Sequence, residues 1–127
     1  LTKEELEIMK THTVIGAEML EQLGIYQNEP LVKIAHQICR WHHERWDGRG
    51  YPDGLKGEQI PIAAQVVSMA DVYDALTSER CYKKAFDHDT AVKMILNGEC
   101  GQFNPLLLEC LQEIGDRLAE ALRAPEK

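Results

Sequence analysis

One run of thirteen residues constrains this chain more than any other: His42-His43-Glu44-Arg45-Trp46-Asp47-Gly48-Arg49-Gly50-Tyr51-Pro52-Asp53-Gly54. Three glycines and a proline stop any regular helix from passing through it. Two adjacent histidines open it. Neighbouring residues cannot share one helical face, but at a helix end both can turn toward one cation. Imidazole is the commonest side-chain ligand for transition metals. Glycine lets the backbone approach a ligand closely. The plain alternative is a polar surface turn. Against it stands Asp71, in Met69-Ala70-Asp71-Val72-Tyr73-Asp74-Ala75-Leu76, a second metal-ligating residue type further along.

The segments on either side read as helices. Residues 2–23 form one helix, with Thr2 and Glu5 as a capping box and Gly24 as its stop. Its apolar stripe is Ile8, Ile15, Met19 and Leu23, with His12 one turn after Ile8. Pro30 to about His43 is a second helix, opened by proline. Leu31, Ile34, Ala35 and Ile38 form its buried stripe and His42 continues it, while His36 lies off it, at the surface. Residues 44–60 are loop, in which Trp46 serves as an anchor. Pro61 opens a third helix to about Ser78, with Ile62, Val66, Val67, Ala70, Tyr73 and Thr77 on one face and Asp71 half-buried at its edge. A short helix runs from about His88 to Leu96, capped by Asp87. Asn104-Pro105 starts the last helix, with Leu107, Leu111, Ile114, Leu118 and Leu122 inward. The expected fold is an all-α helical bundle in one domain over residues 1–127.

The run from His42 to Pro61, then Asp71 to Leu76, then Arg80-Cys81-Tyr82-Lys83-Lys84-Ala85-Phe86, resembles an HD-GYP domain. That is a branch of the HD metal-dependent phosphohydrolases. Met9-Lys10-Thr11-His12-Thr13-Val14-Ile15-Gly16 and Phe103-Asn104-Pro105 extend the resemblance over nearly the whole chain. It implies an HD-domain-like all-α fold, bound divalent metal ions and hydrolysis of the bacterial messenger cyclic di-GMP. By resemblance, His12, His42 and His43 are ligands of one metal, and Asp71 of a neighbouring one. Mixed imidazole and carboxylate ligation suits iron, manganese or zinc, and the sequence does not choose among them. The same resemblance gives Arg80 and Lys83 the ligand phosphates, with Cys81 where many members have proline. It gives the Gly50-Tyr51-Pro52 loop the site entrance and a contact with a cyclase-domain partner. Tyr51 and Trp46 can each either stack on a guanine or anchor the loop, with anchoring preferred for Trp46, and Arg45 and Arg49 are further candidates for phosphate.

One departure stands out. The His-Asp pair that names the family does not precede His12; the only such step is His88-Asp89. The expectation is therefore an N-terminally truncated domain. It lacks the bridging carboxylate, so catalysis by these 127 residues alone is expected to be poor, and the hydrolase activity belongs to the parent domain. Exposed apolar surface on the helix bearing His12 would then invite self-association. The alternatives are a degenerate module that binds nucleotide or protein without catalysis, and an HD-type hydrolase with another substrate. The Gly-Tyr-Pro loop favours cyclic dinucleotides over the last.

Composition bounds these readings. A 44% hydrophobic and 28% charged chain is typical of a soluble globular domain. Net charge of −7 argues against a broad nucleic-acid-binding surface. Residues 40–84 nonetheless balance seven basic against seven acidic groups, so a small phosphate-bearing ligand is tolerated there. No apolar run is long enough for a membrane span. The four cysteines, at 39, 81, 100 and 110, form no Cys-x-x-Cys pair. Cys39 and Cys110 fall on apolar helical faces, which suits reduced thiols in the cytoplasm.

Overall fold

The computed structural model describes residues 2–22, 24, 28–79 and 84–123. Among them there are helices and turns but no strand, as the apolar periodicity and caps predict. The helices are α1 (Lys3–Lys10), α2 (His12–Glu21), α3 (Pro30–Trp41), α4 (Ile62–Thr77), α5 (His88–Leu96) and α6 (Pro105–Arg123), with a 3-10 turn at Gly57–Gln59. None of the described helices is long and apolar enough to cross a membrane. The chain divides into two compact units, residues 1–68 and 69–127, with the boundary inside α4.

In the first unit the Thr2 hydroxyl accepts the Glu5 N–H at 3.0 Å and opens α1 as expected. The single helix predicted over 2–23 is instead two. At Thr11 the chain tightens: its N–H reaches the Ile8 carbonyl at 3.1 Å and its hydroxyl reaches the same oxygen at 2.6 Å. His12 Nδ1–H donates to the Met9 carbonyl at 2.6 Å. Side chains thus claim carbonyls that an uninterrupted helical ladder would use. α2 packs against α3, with Gly16 facing Cys39; a Cβ there would lie 3.5 Å from the Cys39 Cβ, an ordinary contact.

The predicted stripes need correcting. Ile8 is 70% exposed and Met19 68%, and Ile15 is exposed as well. The buried residues of α2 are Thr13 and Ala17, on the other side. On α3, Leu31 and Ile34 are exposed, and Ala35 and Ile38 are half-buried. Ile62 and Val66 of α4 are exposed, and burial falls on Ala64, Gln65 and Ser68. Leu23 lies outside the described residues. His36, expected at the surface, is partly covered and bonds to Glu21 at 3.0 Å.

The second unit has a clearer core. Met69, Ile95, Phe103 and Leu111 are buried together, with Val72, Tyr73, Leu76, Val92, Leu107 and Leu108 packed around them. Asp87 caps α5 by accepting the Thr90 N–H at 2.8 Å. α5 packs against α6. Ala70 and Cys110 are exposed, contrary to expectation, and Ile114 is 45% exposed.

Candidate metal centre

The break at Thr11 and the end of α3 together create the site. His12 is the first residue of α2; His42 caps α3, and His43 follows where the chain leaves the helix. One ring nitrogen from each of the three lies within 4.8 Å of the others. Ring centroids are 5.3 Å apart for His12 and His42, 5.0 Å for His12 and His43, and 4.4 Å for His42 and His43. The sequence brought exactly these three residue numbers together only through resemblance; the backbone geometry does so physically.

Backbone carbonyls orient two of the rings. His12 Nδ1 lies 2.6 Å from Met9 O, and His42 Nδ1 lies 2.7 Å from Ile38 O. In neutral imidazole, Nδ1–H then donates to the carbonyl and Nε2 keeps its lone pair. The two Nε2 atoms face each other at 3.4 Å. With metal–nitrogen bonds of about 2.05 Å, the edge of a tetrahedral site is about 3.3 Å. The donor set therefore fits a divalent transition metal. Burial, reinforced by repulsion from His42, His12 and Arg45, lowers the His43 pKa to about 4. At neutral pH His43 is uncharged and can donate a lone pair.

The loop after His43 is laced back onto the histidines. Tyr51 N–H donates to the His43 carbonyl at 3.2 Å. Its ring stacks on the His43 imidazole, 4.9 Å between centroids and 10° from parallel. Lys10 Nζ stands 5.4 Å from the same ring centre. Burial raises the Tyr51 pKa, so its hydroxyl stays protonated at neutral pH. Arg45 Nη1 donates to Ser68 Oγ at 2.8 Å and to Glu44 O at 3.2 Å, which ties it into the loop. The Trp46 carbonyl accepts the Gly57 N–H at 3.0 Å.

Four residues of this scaffold, Arg40, Trp41, Glu44 and Asp53, carried no functional reading in the sequence. Glu44 is 2% exposed and takes the Asp53 and Leu55 N–H groups, each at 2.6 Å. Asp53 takes Trp41 Nε1 at 2.6 Å and Arg40 Nε at 2.9 Å. The only sequence signal for them was the Pro52-Asp53-Gly54 turn pattern. Asp71 belongs to α4 in the second unit and is exposed there, not half-buried. Arg80 and Lys83 lie outside the described residues.

Comparison with known proteins decides the family. A family model described as "HD domain" matches residues 1–105. The chain belongs to the HD domain family. The HD assignment agrees with both the all-helical fold and the motif-based resemblance. A cyclic di-GMP phosphodiesterase of Vibrio cholerae is 42% identical over 121 residues, which are 92% of this chain and 24% of that protein. A cyclic di-GMP phosphodiesterase of Thermotoga maritima is 37% identical over 123 residues, 97% of this chain and 32% of that protein. A 3'3'-cGAMP-specific phosphodiesterase of Vibrio cholerae is 36% identical over 124 residues, 98% of this chain and 23% of that protein. This HD domain chain thus spans about a quarter to a third of the length of these relatives.

Proposed function

We propose that this HD domain chain serves metal-dependent hydrolysis of a cyclic dinucleotide, cyclic di-GMP before others. The observation that carries the reading is the convergence of His12, His42 and His43 on a space sized for one cation. The names of the relatives support the substrate class. His12, His42 and His43 hold the metal, and Asp71 serves a neighbouring one by resemblance. A divalent cation held by these histidines would supply charge neutralisation for a phosphodiester and activation of water. Backbone carbonyls aim the His12 and His42 rings, burial keeps His43 neutral, and the Tyr51 ring closes one face of His43. Arg80 and Lys83 meet the phosphates, with Arg45 and Tyr51 at the site's edge, and the Gly50-Tyr51-Pro52 loop offers a face to a cyclase-domain partner. The unbridged thiols Cys39 and Cys110 suit the cytoplasm.

The test is calorimetric titration of cyclic di-GMP, and separately of 3'3'-cGAMP, into manganese-loaded protein. Binding should vanish with chelator and with His42→Ala. Arg80→Ala should weaken it about tenfold to a hundredfold, the worth of one charge-assisted bond. Binding that ignores chelator and His42→Ala overturns the metal assignment. Tighter binding of 3'3'-cGAMP overturns the choice of substrate.

A further inference from the structure

Glu44 directly follows the histidine pair and is almost completely buried. A carboxylate in that position is costly unless its oxygens are satisfied. Both are: Oε2 accepts the Asp53 N–H and Oε1 the Leu55 N–H. On the other side of the pair, Arg40 and Trp41 grip the Asp53 carboxylate. Residues flanking His42 and His43 on both sides therefore hold one short stretch of loop. Within the loop, Gly50 packs against the main chain of His43, Glu44 and Arg45 so closely that no Cβ fits. This lacing delivers the Tyr51 ring, parallel and in contact, to the His43 imidazole. His12 and His42 are oriented by backbone carbonyls on Nδ1. His43 is oriented by an aromatic wall.

We propose that Glu44 and Tyr51 are positioning residues of the metal centre. Glu44 clamps the loop, and Tyr51, stacked on His43, fixes the plane in which that imidazole presents its donor nitrogen. The inference rests on the reading of the three histidines as ligands. It gives the Gly-Tyr-Pro loop a role in metal affinity that is separate from the substrate entrance and from any partner. Groups that orient metal ligands typically change affinity tenfold to a hundredfold when removed.

Cobalt(II) titration of the purified chain tests this, with visible absorption and calorimetry as readouts and no substrate present. The unaltered protein should bind cobalt, and His12→Ala should abolish binding. Tyr51→Phe keeps the stacked ring and should keep the affinity within about twofold. Tyr51→Ala should lose about tenfold to a hundredfold and shift the cobalt bands. Glu44→Gln should lose affinity in the same range, because its amide sets a donor against a backbone donor. Where Glu44→Gln fails to fold, the Tyr51 pair decides alone. No cobalt binding by the unaltered protein overturns the metal reading and this inference with it. Binding by the unaltered protein with the same affinity and spectrum in Tyr51→Ala overturns the positioning role only.

Discussion

Gly50→Ala should be among the most damaging single-methyl changes in this chain. A Cβ at that position would lie 2.3 Å from the His43 carbonyl oxygen, 2.5 Å from the Arg45 nitrogen and 2.5 Å from the Glu44 Cα. Ordinary contacts begin near 3.4 Å, so the strands of loop must separate by about an ångström. All three obstacles are main chain and cannot rotate aside. Overpacking costs about 1–3 kcal/mol, and rigid partners put this site at the upper end. Separation also breaks the Tyr51 N–H to His43 carbonyl bond, worth about 1 kcal/mol. The expected loss is about 3–4 kcal/mol, a large share of the stability of a typical domain. Gly57→Ala is the internal reference. Nothing lies within 4 Å of a Cβ there, but φ is +58°. Left-handed backbone costs a non-glycine residue about 1–2 kcal/mol. Urea unfolding followed by circular dichroism should therefore rank Gly50→Ala well below Gly57→Ala, and both below the unaltered chain. An equal or reversed ranking would refute the close packing of the loop on the histidine pair.

Three further outcomes follow from the same geometry. Zinc or manganese at a hundred times its dissociation constant should stabilise the fold by about 2.7 kcal/mol; thermal unfolding with and without chelator measures this, and His12→Ala should erase the difference. The metal-free chain should lose stability as pH falls from about 6.5, where the unfolded His43 begins to take a proton, to about 4, where the folded one does. Because His43 is only half-buried, that loss is on the order of 1–2 kcal/mol, and a His43→Ala chain that shows the same slope would sink the assignment. Asp53 has its pKa lowered by hydrogen bonds from Arg40 and Trp41, so its contribution is present above the ordinary carboxylate pKa and fades as pH falls through the lowered value; a double-mutant cycle with Arg40 should give no more than about 1 kcal/mol for this partly exposed pair.

Helix type and order were legible because caps and period agree: Thr2, Pro30, Asp87 and Pro105 all sit at helix starts. The break at Thr11 was not. It arises from a hydroxyl and an imidazole bonding back to nearby carbonyls, which leaves no mark in hydropathy. Burial of the stripes was misjudged for another reason. Periodicity says which residues share a helical face, not what that face meets; Ile8, Met19 and Leu31 align well and are exposed. His42 and His43 were legible as an adjacent pair at a helix end, whereas His12 joined them only through the family motif. Glu44 was not, because a glutamate in a charged loop looks like any solvated one until both its oxygens are found on backbone donors.

The orientation of the rings explains why this cluster suits a metal ion. With Nδ1 of His12 and of His42 set against carbonyls, the two Nε2 atoms face each other at 3.4 Å. His43 stays uncharged at neutral pH, because burial and its neighbours hold its pKa near 4. A divalent cation meets all three lone pairs at once and leaves both carbonyl bonds intact. Helix termini that fix two rings, and a buried glutamate that fixes the loop beside the third, thus hold three donor nitrogens ready for one cation.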